Sequence, residues 1–323
     1  MLGALLALAS AATFGFNNAA IRRGVLTGSV VQAMMITVPM GVPLFALACL
    51  PFGGLDALVA FTGASWLWMT LAGIIHFVIG RYGNYRSTHA LGANLSSPIQ
   101  QLSVPISIIL AMIYLDETLN PLSFTGIMLV MLGPAITVPR NKTDAPKKTK
   151  SGFEPRYGEG LFWGIISAFA YGASPLFIMK GLGPGGGLVD SIAGGLISYT
   201  AATIAILALV VFTGGLGFMH NLDQEARKWF LLSGVLVFFS QLFRYMSLAV
   251  APIAVAVSIQ RLSPVFRLIF SWILNRDHEF FEFQILFGIG LSMFGAILLA
   301  LNIDMVAALL PASWEPILRM EWP

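Results

Sequence analysis

Charge is what this sequence has least of. Of its 323 residues only 10% are Asp, Glu, Lys or Arg, while 57% are hydrophobic, against roughly 25% charged in an ordinary soluble domain. A water-facing surface cannot be made from that supply, which excludes a soluble enzyme or binding domain. Cysteine occurs once, as Cys49 in an apolar run. That rules out an intrachain disulfide and any Cys-based metal motif, and leaves a buried structural thiol. Acidic residues are missing from the middle of the long apolar stretches, and no Ser/His/Asp arrangement or metal-spaced cluster is visible. Neither catalysis nor a cofactor is therefore expected. The formal net charge of +3 falls mainly between the apolar stretches, and no basic face with interleaved aromatics accompanies it. Nucleic acid is not an expected partner; the lipid bilayer is.

What the sequence does have is apolar segments of about 20 residues, each able to cross ~30 Å of hydrocarbon as a helix. They fall near 2–21, 28–50, 65–85, 91–115 and 120–138, then 159–180, 189–213, 229–249, 252–274 and 283–303. The expected fold class is an all-α integral membrane protein with ten transmembrane helices. Met1 to Ser10 with Ala7-Leu8-Ala9 has the look of a signal peptide, but no Lys or Arg follows Met1 and a similar stretch recurs near residue 160, so it is read as a helix. Residues 139–158 hold Arg140, Lys142, Lys147, Lys148, Lys150 and Arg156 among Pro, Gly and Ser, which makes a basic solvated linker. Residues 304–323, with Pro311, Trp314, Pro316 and Trp322, suit an interfacial tail. Gly181, Gly183 and Gly186 fit G-x-G-x-x-G but lie between two spanning helices with no preceding strand, so no nucleotide site is inferred. Asn141-Lys142-Thr143 is a glycosylation sequon with meaning only in a luminal loop.

The two halves resemble each other. Ser10-Ala11-Ala12-Thr13-Phe14-Gly15 matches Ser167-Ala168-Phe169-Ala170-Tyr171-Gly172, and Ile21, Arg23 and Gly24 match Ile178, Lys180 and Gly181 in the same register. Further on, Ile99-Gln100-Gln101-Leu102-Ser103-Val104-Pro105 faces Ile259-Gln260-Arg261-Leu262-Ser263-Pro264, and Tyr85 faces Tyr245 at the same offset of 160 residues. Gly126 and Gly133 face Gly288 and Gly295. Residues 1–138 and 159–303 thus form two five-helix repeats. Five is odd, so the second copy enters the membrane from the opposite side: the repeats are inverted, the usual architecture of alternating-access carriers.

The Phe14-Gly15 and Tyr171-Gly172 pairs, the Pro in each fourth helix, Asp116-Glu117 and the Gly126/Gly133 helix resemble the ten-helix EamA type of the drug/metabolite transporter superfamily over residues 3–303. The second half departs at Arg276-Asp277-His278-Glu279 and at Leu-Ser-Pro in place of Leu-Ser-Val-Pro. The resemblance implies a secondary transporter of a small metabolite, an exporter in many members, without naming the substrate. It also implies a multi-pass position in a plasma membrane, the bacterial inner membrane foremost.

Ionisable side chains inside a spanning helix cost a few kcal/mol each and are functional candidates. Here they are mostly cationic: Arg81, Arg244, Arg261 and Arg267, with His76 beside them. A carrier of lipophilic or cationic drugs needs an embedded carboxylate, and the first helix offers only Thr13, Asn17 and Asn18. Arginines without carboxylates instead suit an amino acid or other anionic or zwitterionic solute, although arginines also snorkel to interfaces. Gln100 and Gln260 hold equivalent positions, with Gln101 and Arg261 after them and prolines nearby that free backbone carbonyls, so this is the expected binding seam. Asn17 and Asn94 extend its polar row, and such residues also tie helices together. Asn84 against Arg244 and Gln101 against Arg261 mark where substrate preference would lie. Tyr85 and Tyr245 read either as gates or as interfacial anchors. His76 reads either as a proton relay, giving proton coupling, or as a packing histidine. Asp116-Glu117 reads as a helix cap.

The linker, Arg22-Arg23, the Arg81 to Arg86 region and Arg227-Lys228 fall on one side, which the positive-inside rule makes cytoplasmic and which puts both termini outside. The family resemblance implies the reverse, so orientation stays open. A scaffold or sensor with a sealed cavity is the alternative function, and both monomer and homodimer remain open.

Overall fold

In the computed structural model the described residues are 1–115, 120–137, 149–183, 185–213, 221–251 and 259–298, with the isolated positions 217, 219, 256, 301 and 311. They are helical, with no strand among them. Ten apolar helices carry the chain. The first repeat contributes α1 (Leu2–Gly24), α2 (Val30–Cys49), α3 (Gly63–Leu91), α4 (Ala93–Tyr114) and α5 (Pro121–Thr137). The second contributes α6 (Tyr157–Leu182), α7 (Leu188–Thr213), α8 (Gln224–Val250), α9 (Ser263–Leu274) and α10 (Phe283–Leu298). Seven of these are long and apolar enough to span a bilayer, and α5, α9 and α10 are shorter apolar helices. Asp116-Glu117, most of the linker and most of the tail lie outside the described residues.

The solvent preference is inverted relative to a soluble protein. Leu5, Phe169, Ile204, Phe212, Ile273 and Phe283 are exposed, whereas Asn17, Asn84, Gln101, Arg81 and Arg267 are buried. Lipid is as apolar as leucine, so burial of apolar groups gives no drive for helix association; close packing and hydrogen bonds between helices supply it.

Those bonds repeat across the two halves. Ser10 Oγ of α1 donates to Ser240 O of α8 at 2.8 Å, and its counterpart Ser167 Oγ of α6 donates to Gly80 O of α3 at 2.9 Å. Ser247 Oγ donates to Gly3 O at 2.9 Å, and Ser87 Oγ to Gly160 O at 2.8 Å. The first helix of each repeat thus packs on the third and fourth helices of the other. The fifth helices, α5 and α10, cross where Gly133 meets Gly288 and Gly126 meets Gly295; a Cβ on Gly288 would lie 2.9 Å from Gly133 O, closer than side chains tolerate.

Two sequence expectations need correction. The third helix, expected to end near residue 85, runs to Leu91, because Arg81, Asn84, Ser87 and Thr88 point into the bundle and not into water: Arg81 is 2% exposed and donates to Tyr199 Oη at 2.7 Å. Arg81 therefore does not belong in the loop charge count. The fourth and ninth helices, where nearby prolines were expected to free backbone carbonyls, break at Leu102 and turn at Leu262. Pro105 and Pro264 lack the N–H that would continue each ladder. Leu102 N–H donates to Ile99 O at 3.1 Å and Leu262 N–H to Ile259 O at 3.0 Å, so both breaks have the same tightened geometry. Interfacial anchoring of Tyr85 and Tyr245 is also overturned, since both are fully buried.

Candidate functional site

The helix breaks lie beside a cavity of about 80 Å³ enclosed by α1, α3, α6, α8 and the turn preceding α9. Ser10 and Phe14 of α1 line it, as do Tyr171 and Pro175 of α6. Phe14 and Tyr171 occupy equivalent repeat positions, and their rings meet edge to face with centroids 6.2 Å apart. The repeats therefore meet in this cavity.

Its ionisable side chains come from three elements. His76 projects from α3 where Ile74–Gly80 is wound as a π-helix, a local widening frequent at functional positions. Its ring packs 4.5 Å from Tyr171. Arg244 of α8 is buried, with Nη1 3.4 Å from His76 Nδ1 and 3.3 Å from Gln241 Oε1, and Nη2 3.4 Å from Ser174 Oγ. Arg261 donates from Nη1 to Ser103 Oγ at 2.6 Å, which links the α9 turn to the α4 break. Gln260 Nε2 and Arg261 Nε have no partner among the described residues. None of the described residues lining the cavity is acidic.

Of the residues expected to bind, Arg244, Gln260 and Arg261 line this cavity, and so does His76. The others hold helices together. Asn17 Oδ1 accepts from Ser233 Oγ at 2.6 Å. Asn94 Nδ2 donates to Phe280 O at 3.0 Å. Gln101 Nε2 donates to Arg261 O at 3.2 Å, directly behind the cavity wall. Gln100 donates to Asn84 Oδ1 and accepts from Arg267 Nη2 at 2.7 Å, while Asn84 Nδ2 donates to Asn18 Oδ1 at 3.0 Å. This relay ties α1, α3, α4 and α9 together. Tyr85 Oη donates to Thr37 Oγ1 at 3.3 Å and Tyr245 Oη to Ser198 Oγ at 3.0 Å, a matched pair set away from the cavity lining. Sequence reasoning passed over Ser10, Tyr171 and Gln241 as lining residues. The repeat register was the available signal for the first two, since the Ser10 and Tyr171 motifs are what align the halves.

The helix count places the cavity in the half of the molecule that carries the chain termini. The linker end is closed. Leu91, Leu95, Ile99, Phe280, Ile285 and Ile289 form a buried cluster there. Above it Arg22, 1% exposed, pairs with Glu279 at 2.9 Å. Glu279 also accepts from the N–H groups of Ala93 at 2.7 Å and Asn94 at 2.9 Å, which caps α4 just after Gly92 at φ +88°. Arg22 further donates to His278 O at 2.9 Å and lies 4.0 Å over the Phe153 ring. Glu279 stands in a segment that the sequence marked only as a departure between the repeats.

Residues 1–138 and 158–301 match the model of the EamA-like transporter family. No curated protein matches the chain. Solved structures do: one, titled only as a crystal structure of a protein, is similar with a TM-score of 0.60 at 12% identity, over 90% of this chain and 94% of that one. At that identity the likeness concerns the fold.

Proposed function

From the premise that this chain belongs to the EamA-like transporter family, we propose that it is a secondary carrier of a small anionic or zwitterionic metabolite working by alternating access. The observation that carries this reading is the cavity between the repeats: Arg244, Arg261 and Gln260 line it, and among the described residues Gln260 Nε2 has no partner and no lining residue is acidic. Guanidinium groups in a low-dielectric site hold carboxylate or phosphate through paired charge-assisted bonds. Donors without partners are costly until a ligand supplies acceptors.

The conformation is one end of the cycle. The cavity sits toward the terminal end, and the apolar cluster with the Arg22–Glu279 pair seals the linker end. Rocking of repeat 1–138 against repeat 159–303, joined by the 139–158 linker, would break that seal as it closes the other end. Water entering the opened end solvates Arg22 and Glu279, which makes separation of the pair affordable. The solute crosses unchanged, so no chemical step is required of any residue. If protons drive the cycle, His76 is the cavity residue able to carry one.

Flux of radiolabelled metabolites into proteoliposomes tests the reading. Uptake of an anionic or zwitterionic solute, reduced at least about tenfold by Arg244→Ala or Gln260→Ala, is expected from the loss of a buried charged or donor contact worth about 1.4 kcal/mol or more. No flux across a broad metabolite panel would return the scaffold alternative.

A further inference from the structure

We propose that the transported solute is a compact dianion, either a small dicarboxylate or a phosphate monoester, held between Arg244 and Arg261. This rests on the carrier reading above and narrows it.

The argument begins with a charge count. Both guanidiniums line one cavity, and arginine does not give up its proton in a protein. Neither has a carboxylate partner among the described residues. The sequence supplies none nearby: α1, α3 and the whole stretch from Val250 to Leu274 contain no Asp or Glu. Elsewhere the chain does provide carboxylates to arginine, with Glu279 for Arg22 and Glu159 for both Arg86 and Arg156. The other buried arginines outside the cavity, Arg81 and Arg267, also lack a carboxylate partner among the described residues, but each has one short bond to an oxygen acceptor. Arg81 has Tyr199 Oη at 2.7 Å and Thr37 O at 3.4 Å, and Arg267 has Gln100 Oε1 at 2.7 Å and Ala93 O at 3.3 Å. Arg244 has only contacts of 3.3–3.4 Å; Arg261 has one short bond, to Ser103 Oγ at 2.6 Å, and its Nε, like that of Arg267, has no partner among the described residues.

Two positive charges in a membrane interior without counter-charge are expensive, and a dianion neutralises both. A monoanion neutralises one. A zwitterion neutralises neither, and its ammonium would be brought close to two guanidiniums with no carboxylate to receive it. In the cavity, Gln260 Nε2 and Arg261 Nε have no partner among the described residues, and they ask for acceptors and not for a further donor. A cavity of about 80 Å³ favours a solute of few heavy atoms. Dicarboxylate and phosphate monoester share this chemistry, and the test separates them.

Purified full-length protein in detergent at pH 7.5 is titrated by calorimetry with succinate, glycerol phosphate, lactate and alanine. The proposal expects succinate or glycerol phosphate to bind at least about tenfold tighter than lactate and alanine. The stronger of the two identifies the source. Arg244→Gln and Arg261→Gln should each reduce that preference to within about threefold. Each should also raise the melting temperature of the solute-free protein, since an uncompensated buried charge is removed; a merely structural arginine would lower it. Lactate or alanine binding as tightly as the dianions, with binding lost in the arginine variants, would overturn the dianion assignment and leave the carrier intact. Dianion binding that survives both substitutions would overturn it as well. No binding by any of the four solutes would overturn the dianion assignment, and the carrier reading would fall with it only if the flux panel were also silent.

Discussion

At the scale of single residues, hydrogen bonds between helices do what apolar burial does in water, and they come in matched pairs. Ser10 with Ser240 O and Ser167 with Gly80 O hold the same joint in each half. Interhelical bonds in membranes average about 0.6 kcal/mol, so Ser10→Ala and Ser167→Ala should each destabilise by about that amount and nearly additively, as steric-trapping or denaturation in detergent would measure. Glu279 carries more. It joins Arg22, Ala93 and Asn94 in one buried site, and its removal leaves a buried arginine unpaired, a change that costs roughly 3–5 kcal/mol in buried pairs. Glu279→Ala should therefore lower the melting temperature far more than Ser10→Ala, and the double variant Arg22→Met/Glu279→Met should recover most of the loss. The polar inventory of Asn17, Gln100 and Arg244 was legible in the sequence because such residues are rare in apolar helices. Which of them face the cavity was not. That depends on helix rotation and on long side chains such as Gln100 reaching across to Arg267, which linear spacing does not encode.

At the scale of elements, the breaks at Leu102 and Leu262 are the feature nearest the cavity. An apolar average passes over these breaks because proline barely disturbs it, whereas the prolines in the repeat alignment mark where the helices loosen. The broken turns present Ser103 and Arg261 to each other at 2.6 Å. Pro264→Ala restores an N–H able to bond Gln260 O and straighten the turn. Transport should fall with little loss of stability, a combination that paired flux and thermal-melt measurements would reveal. The α5/α10 crossing is the converse case, legible from Gly126, Gly133, Gly288 and Gly295 alone. A Cβ on Gly288 would press on Thr137 Oγ1 and Gly133 O. Gly288→Val should cost roughly 1–3 kcal/mol through overpacking while leaving solute affinity at the distant cavity unchanged in calorimetry.

At the scale of the whole molecule, the duplication, the inversion and the ten helices followed from counting apolar segments and matching motifs. The extent of α3 did not, since a polar inner face resembles a loop to any hydropathy average. The structure gathers Arg23, Arg86, Arg156, Arg227, Lys228 and Arg276 at the linker end, whereas Lys180 is the one lysine or arginine described at the other. The positive-inside rule then predicts a cytoplasmic linker, and a reporter fused within residues 139–148 that reads as extracytoplasmic would contradict it. The central claim is that the two repeats alternate around the arginine cavity by opening this end. It is tested most directly by the distance between spin labels at Thr27→Cys and Gly158→Cys in a Cys49→Ser background. Both sites are exposed at the linker end, on the α1–α2 loop and at the start of α6. In lipid nanodiscs the account predicts two distances, with Glu279→Gln enriching the longer one. A single distance that Glu279→Gln leaves unchanged would contradict it.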